Sequence, residues 1–270
     1  MNTPWHLGRM AGFDFETTDK DPETALIVTC ALIGVGGEKP TLPATWLLNP
    51  GIPMNPEAIA IHGITDEYAA EHGMDAKTGV LEIATAVAEH VRAGIPLVGH
   101  NIGFDLCVLD RECRRKGLGS LEDVCGQPLA RVIDTMVIDR HTAPFRRRVS
   151  ATQGPYQMRT TAETYGLTWD EEQAHGADYD AMQSVRVAWL MGDIAHRPAQ
   201  RRPDWVWRLR DGGARFDALA GVSLEELFTL QQRWHAQWAE SFEAYLRRSD
   251  PAAVIDRCWP LKPFSGNGAS

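Results

Sequence analysis

Residues 10–18 read Met10-Ala11-Gly12-Phe13-Asp14-Phe15-Glu16-Thr17-Thr18. The run is short, apolar and rich in aromatic residues, which predicts a strand. Side chains alternate faces along a strand, so Asp14 and Glu16 share one face while Phe13 and Phe15 point the other way into a core. Two carboxylates side by side repel each other unless a cation stands between them. The ordinary remedy is a hard divalent cation with oxygen ligands. An Asp-x-Glu pair alone is common on solvent-facing strands. Here the acids interrupt an otherwise apolar run, which a surface explains less well.

Outward from this strand, residues 25–35 are again apolar and β-branched, and Asp19-Lys20-Asp21-Pro22 supplies a turn between the two. Residues 44–48 predict a third strand. Tight connections between the three imply an antiparallel meander. A Pro-rich connection (Pro50, Pro53, Pro56) follows. Val80, Ile83, Ala84, Val87 and Val91 then recur at helical spacing, and Gly94 and Pro96 end that helix. Residues 96–100 read as a buried strand, 103–116 as a helix and 131–135 as another strand. Residues 143–158 read as loop, 160–165 as a short helix, and a longer helix runs to about residue 193. Meander followed by strand–helix alternation predicts an α/β fold: a mixed sheet, antiparallel meander plus parallel strands, flanked by helices.

Two further stretches place acids beside the first pair. In Gly99-His100-Asn101-Ile102-Gly103-Phe104-Asp105 a buried strand ends in a Gly-containing turn, and Asp105 falls in the first helical turn. An acid there is favoured by the helix dipole alone, or it faces the same cleft as Asp14 and Glu16. In His175-Gly176-Ala177-Asp178-Tyr179-Asp180 a histidine precedes a helix that opens with two acids, and Asp178 rivals Asp180 for any ligand role.

Taken in order, F-D-F-E-T-T, H-N-x-x-F-D and H-x-A-x-x-D resemble the three motifs of DEDD-type 3′→5′ exonucleases of the histidine subclass, a family that includes proofreading epsilon subunits of bacterial replicative polymerases and related ribonucleases. Asp105 lies 89 residues after Glu16, and Asp180 lies 75 after Asp105, gaps ordinary for that family. Ile61-His62-Gly63-Ile64-Thr65 is similar to its H-G-I-T element, and Thr161 to Gly166 to its short helix before the third motif. The resemblance spans about residues 8–193. It implies an RNase H-like fold and two Mg²⁺ or Mn²⁺ ions held by Asp14, Glu16, Asp105 and Asp180. Asp14 would bridge both ions, Glu16 and Asp180 would complete the first ion's shell, and Asp105 would serve the second. His175 would be the general base, in keeping with a side chain that titrates near neutrality. Thr17, Thr18, His62, Asn101 and Phe104 would line the pocket for the terminal nucleotide. Nucleoside 5′-monophosphates would leave from single-stranded DNA or RNA ends, in proofreading, repair or end trimming. Asp19, where many members have Gly, and the long basic stretch 142–159 depart from the pattern. A module that binds without turnover would have been favoured by loss of any of the five core residues; an RNase H-like endonuclease or transposase spaces its acids differently.

Net charge is −9 over 270 residues, the wrong sign for gripping nucleic acid by bulk electrostatics. The charge is uneven, −11 over residues 1–195 and +2 over 196–270. Local basic groups could still meet phosphate. The candidates are Arg111, Arg114, Arg115 and Lys116, then Arg146, Arg147, Arg148 and Arg159, with the Arg146–Arg148 run favoured. Five cysteines without a C-x-x-C pair argue against a disulfide framework or a zinc site and fit a reducing cytoplasm. No apolar run is long enough to span a bilayer, and residues 1–10 do not read as a secretory signal.

A polar, Pro- and Arg-rich stretch near 196–204 suggests a boundary between an exonuclease domain (1–195) and a helical, Trp-rich C-terminal extension (196–270). Ser223 and Glu226 form an S-x-x-E capping box, with Val222 and Leu227 placed as a hydrophobic staple. Leu230, Trp234, Trp238, Phe242 and Tyr245 make one helical stripe. It is expected to pack on the body. The sharper alternative is a surface for stacked bases or for a partner such as a polymerase.

Overall fold

The computed structural model describes residues 3–211, 213–264 and 266. Strands β1 (Arg9–Thr17), β2 (Ile27–Gly36) and β3 (Leu42–Asn49) form the antiparallel meander, with Asp14 opposite Ala31 and Glu16 opposite Thr29. Two-residue β4 (Met74–Asp75) pairs in parallel with β3. On the other side, β5 (Leu97–Gly99) runs parallel to β1, and β6 (Val132–Asp134) parallel to β5. The order is β4-β3-β2-β1-β5-β6. Because β1, β5 and β6 are parallel, their carboxyl ends lie along one edge, where ligand sites of such sheets form.

The helices are α1 (Pro56–His62), α2 (Asp66–His72), α3 (Ala76–Arg92), α4 (Ile102–Arg115), α5 (Leu121–Cys125), α6 (Thr135–Thr142), α7 (Met158–Thr164), α8 (Ala177–His196), α9 (Asp204–Trp207), α10 (Ala214–Asp217) and α11 (Leu224–Leu246). The apolar periodicity of α3 buries Val80, Ile83 and Val87 in the same core as Phe13 and Phe15. Helix α8 crosses the sheet on the face that carries Gly12 and Asp14. A Cβ on Gly12 would stand 2.6 Å from the Ala181 carbonyl oxygen and 2.9 Å from Val185 Cγ2. Glycine therefore sets how closely α8 approaches β1.

Four short helices, α1, α2, α5 and α6, fall where sequence periodicity is too brief to show them. Their caps are local. The Asn55 carboxamide accepts from Glu57 N–H (3.0 Å), Pro56 occupies the first turn, and Thr65 Oγ1 accepts from Tyr68 N–H (3.2 Å).

Residues after His196 add side chains to the main core, among them Val206, Phe216, Leu219, Leu227, Trp234 and Trp259. The Ser223–Glu226 capping box forms with both of its hydrogen bonds. Helix α11 lies along the outer edge of β6. Fully buried Gln231 accepts from Asp134 N–H (2.7 Å) and donates to the Val132 carbonyl (2.8 Å), doing for this edge what a further strand would do. The stripe divides along its length. Trp234 is buried, whereas Phe242 and Tyr245, further along, are exposed.

Candidate active site

Strand alternation places Asp14 and Glu16 on one face of β1, both partly exposed, between the buried rings of Phe13 and Phe15. A bulge after Glu16 ends regular pairing with β2. Asp105 enters from the first turn of α4 and is buried, its Oδ1 accepting from Phe15 N–H at 3.0 Å. That bond ties the second acidic element to the backbone between Asp14 and Glu16. Asp180 comes from the first turn of α8, beside the Ala181 that packs over Gly12. His175 sits in the preceding loop with φ 63, and ligand atoms of Glu16, His175 and Asp180 lie within 4.8 Å of one another. Asp178 is exposed and accepts from Tyr179 N–H (2.9 Å). The structure thus turns Asp180, and not Asp178, toward Glu16.

Electrostatically the cluster is under strain. None of Asp14, Glu16, Asp105 or Asp180 is in an ion pair among the described residues. Burial, reinforced by Asp105, Asp180 and Glu16, pushes the Asp14 carboxyl well above the usual range. Burial and the Asp180 and Asp105 charges push Glu16 up to about 8. Burial also raises Asp105 to about 8, against the Phe15 N–H bond. Burial raises Asp180 to about 6, with His175 opposing. Asp180 Oδ1 is buried and unpartnered. Crowded acids that resist ionisation, with a free oxygen among them, make a donor set that fits hard divalent cations.

Beside the carboxylates lies a cleft of about 370 Å³ whose lining includes Glu16, Thr17, Asn55, His62, Asn101 and Phe104. Four of the five expected pocket residues are therefore present. Thr18 is not among them. It is buried, its Oγ1 accepts from Leu26 N–H (3.0 Å), and its own N–H donates to the Leu26 carbonyl (3.0 Å), so it pins the β1–β2 connection instead. Thr17 also uses its hydroxyl, donating to the Asp19 carbonyl (2.7 Å). His62 Nδ1 accepts from Ile64 N–H (3.1 Å), and burial holds its pKa below the ordinary histidine value. Asn55, Glu57 and Lys20 also line the cleft. Sequence reasoning passed them over, although Asn55-Pro56 is a legible helix start. Asp134 was missed too. Its Oδ1 accepts from Asn101 N–H (3.0 Å) and Met136 N–H (2.9 Å), and its Oδ2 accepts from the indole of Trp259 (3.2 Å).

The three arginines of the first basic cluster are structural. Arg111 is buried against Glu23 and Asp110, Arg114 pairs with Asp110, and Arg115 pairs with Glu112. In the second, Arg146 pairs with buried Asp139, and Arg159 with Glu163 and Glu171. Arg147 and Arg148 remain exposed.

An exonuclease family model, RNase_T, matches residues 11–188. The chain belongs to the RNase_T exonuclease family. Within this exonuclease family the chain is 29% identical over 135 residues to the DNA polymerase III epsilon subunit of Haemophilus influenzae, covering 50% of this chain and 45% of that one. Among solved structures, exonuclease I from Methylocaldum szegediense superposes with a TM-score of 0.54 at 22% identity, covering 74% of this chain and 42% of that one. Exonuclease I from E. coli in complex with a dT13 oligonucleotide gives 0.53 at 17%, covering 72% and 45%. The chain spans less than half the length of the curated relatives it matches. The mixed sheet is that of the RNase H-like exonucleases. No helix among the described residues is long and apolar enough to cross a membrane.

Proposed function

We propose that the chain is a divalent-metal-dependent 3′→5′ exonuclease that removes nucleoside 5′-monophosphates from single-stranded DNA ends. The observation that carries this reading is the convergence of Asp14, Glu16, Asp105, Asp180 and His175 at one sheet edge, with none of the four carboxylates in an ion pair among the described residues. The epsilon subunit and the dT13-bound exonuclease I among its relatives favour DNA over RNA.

Asp14, Glu16, Asp105 and Asp180 would hold the ions, and two Mg²⁺ or Mn²⁺ suit four carboxylates. When bound, such ions supply charge neutralisation and Lewis-acid polarisation at the scissile phosphate. A ring nitrogen of His175, beside Glu16 and Asp180, would take the proton from the attacking water. The cleft beside Glu16 would receive the terminal nucleotide, with Phe104 offering its ring to the base and Asn101 and His62 flanking it. Buried Asp105, hydrogen-bonded to the β1 backbone, keeps the two acidic elements in register as the strand end enters.

The test is degradation of 5′-labelled single-stranded DNA, recessed or mismatched duplex DNA, and RNA, each with Mg²⁺ or Mn²⁺. Asp14→Asn and Asp180→Asn should each abolish mononucleotide release while circular dichroism stays unchanged, and Asp178→Asn should remain active. Substantial turnover by Asp14→Asn would refute the assignment. Preference for RNA would move the substrate class.

A further inference from the structure

A second concavity lies between α11, the end of α6 and the loop 143–157. It is a groove of about 440 Å³, built in part from residues beyond the matched family region. Its chemistry differs from that of the rest of the chain. The protein carries 36 Asp and Glu, yet among the described residues no carboxylate lines this groove, while Arg140, His141, His235 and Arg215, the last paired with Asp211, do.

Its walls are aromatic faces. His141 stacks on Trp234 at 3.8 Å, the Arg140 guanidinium lies 3.9 Å over the Trp238 ring, and Trp238 stacks in turn on Phe242 at 5.3 Å. Phe145, with φ 63, projects from the loop at 75% exposure, and Tyr245 is 60% exposed. Arg140 Nε and His141 Nε2 are buried without a hydrogen-bond partner among the described residues. Aromatic platforms beside the Arg140 guanidinium, whose Nε has no partner among the described residues, suit unpaired bases on a phosphate backbone. A protein helix seated on an apolar groove would gain less from the Arg140 charge.

A hydrogen bond links the groove's lining to the neighbourhood of the candidate active site. Tyr156 lines it, and the Tyr156 carbonyl accepts a 2.8 Å hydrogen bond from His100 Nε2, next to Asn101 in the terminal cleft. Both features belong to the edge at which β5 and β6 end, and α6 starts directly from β6.

We infer that this groove is a second single-stranded DNA subsite, which holds bases on the 5′ side of the nucleotide in the cleft. The inference rests on the exonuclease reading for the polarity of the strand. The groove's capacity to bind single strands does not depend on turnover.

Binding is therefore measured by fluorescence anisotropy in EDTA, on the full chain, with a 5′-labelled oligothymidylate of about fifteen nucleotides, within the range one single-strand site occupies. Phe145→Ala/Tyr245→Ala, both exposed positions, should raise Kd about tenfold or more, since stacking on each aromatic is worth that order per base. Arg140→Gln should raise Kd and flatten its salt dependence. With Mg²⁺, KM for the long strand should rise in both variants, while hydrolysis of an oligonucleotide of about three nucleotides, too short to reach beyond the cleft, stays unchanged. Unchanged Kd in both variants would overturn the inference and leave the groove to a protein partner, as would failure of the wild type to bind in EDTA. If the wild type binds in a groove-dependent way but degrades nothing, the exonuclease reading fails and the subsite stands.

Discussion

At the scale of single residues, Asp178 and Asp180 show what a sequence can and cannot settle. Both fall in the first turn of α8, and helix-cap logic fits either. Only the spacing from His175 favours Asp180, and the structure turns that residue toward Glu16 and His175. Thr18 is the opposite case. It adjoins the pocket residue Thr17, but its hydroxyl is spent on Leu26, a partner eight residues away that no local pattern reveals. For His175, exposed beside two carboxylates, the proposed general-base role makes a specific demand. His175→Ala should lose about 10²–10⁴-fold in rate and bind Mn²⁺ with unchanged affinity in calorimetry. Collapse of Mn²⁺ binding would make it a ligand, and a near-normal rate would remove it from the chemistry.

At the scale of elements, long periodic segments were legible. The meander, α3, α4, α8 and α11 all follow from apolar spacing, because a face that must be buried leaves a repeating mark. Helices α1, α2, α5 and α6 were not, since each spans about two turns or fewer and its stability comes from caps and neighbours. Two of them bear on the site: α1 walls the cleft with Glu57, Ala58, Ile61 and His62, and α6 carries Arg140 and His141 to the groove. The seam between β1 and α8 gives a test at this scale. Gly12→Ala would force its methyl against the Ala181 carbonyl and so move α8 together with Asp180. It should cost about 1–3 kcal/mol in urea unfolding and lower kcat by about a hundredfold through misplacement of the carboxylate. Wild-type kcat in a destabilised Gly12→Ala protein would show that α8 tolerates the shift without disturbing the site.

At the scale of the whole molecule, Trp5 near one end of the described chain and Trp259 near the other both join the main core. The Trp5 indole donates to the Leu219 carbonyl (2.9 Å), and His6 is buried against α8 near His196. Burial, reinforced by the His196 charge, holds His6 down at about 4. Its folded-state pKa is thus below the unfolded value, so the unfolded chain binds the extra proton. His6 costs no stability above about pH 6.5 and weakens the fold progressively as pH falls toward 4, by about 3 kcal/mol at the limit. His6→Gln should therefore reduce the difference in unfolding free energy measured between about pH 7 and pH 4.5, relative to wild type. An identical pH dependence in the two proteins would show that His6 does not report on acid unfolding. None of this long-range fastening was legible in the sequence. Gln231 and Trp259 act through Asp134, a residue that reads locally as no more than a strand end.

That attachment has a consequence for biosynthesis. Asp14, Glu16 and Asp105 leave the ribosome early, but Trp259, which braces Asp134 and packs beside Gly103 at the start of α4, is made 154 residues after Asp105. At ordinary elongation rates roughly ten to thirty seconds separate them. During that interval the nascent chain holds its clustered acids without the last brace of the helix that carries Asp105. Translation thereby sets a delay between making the acids and finishing their support.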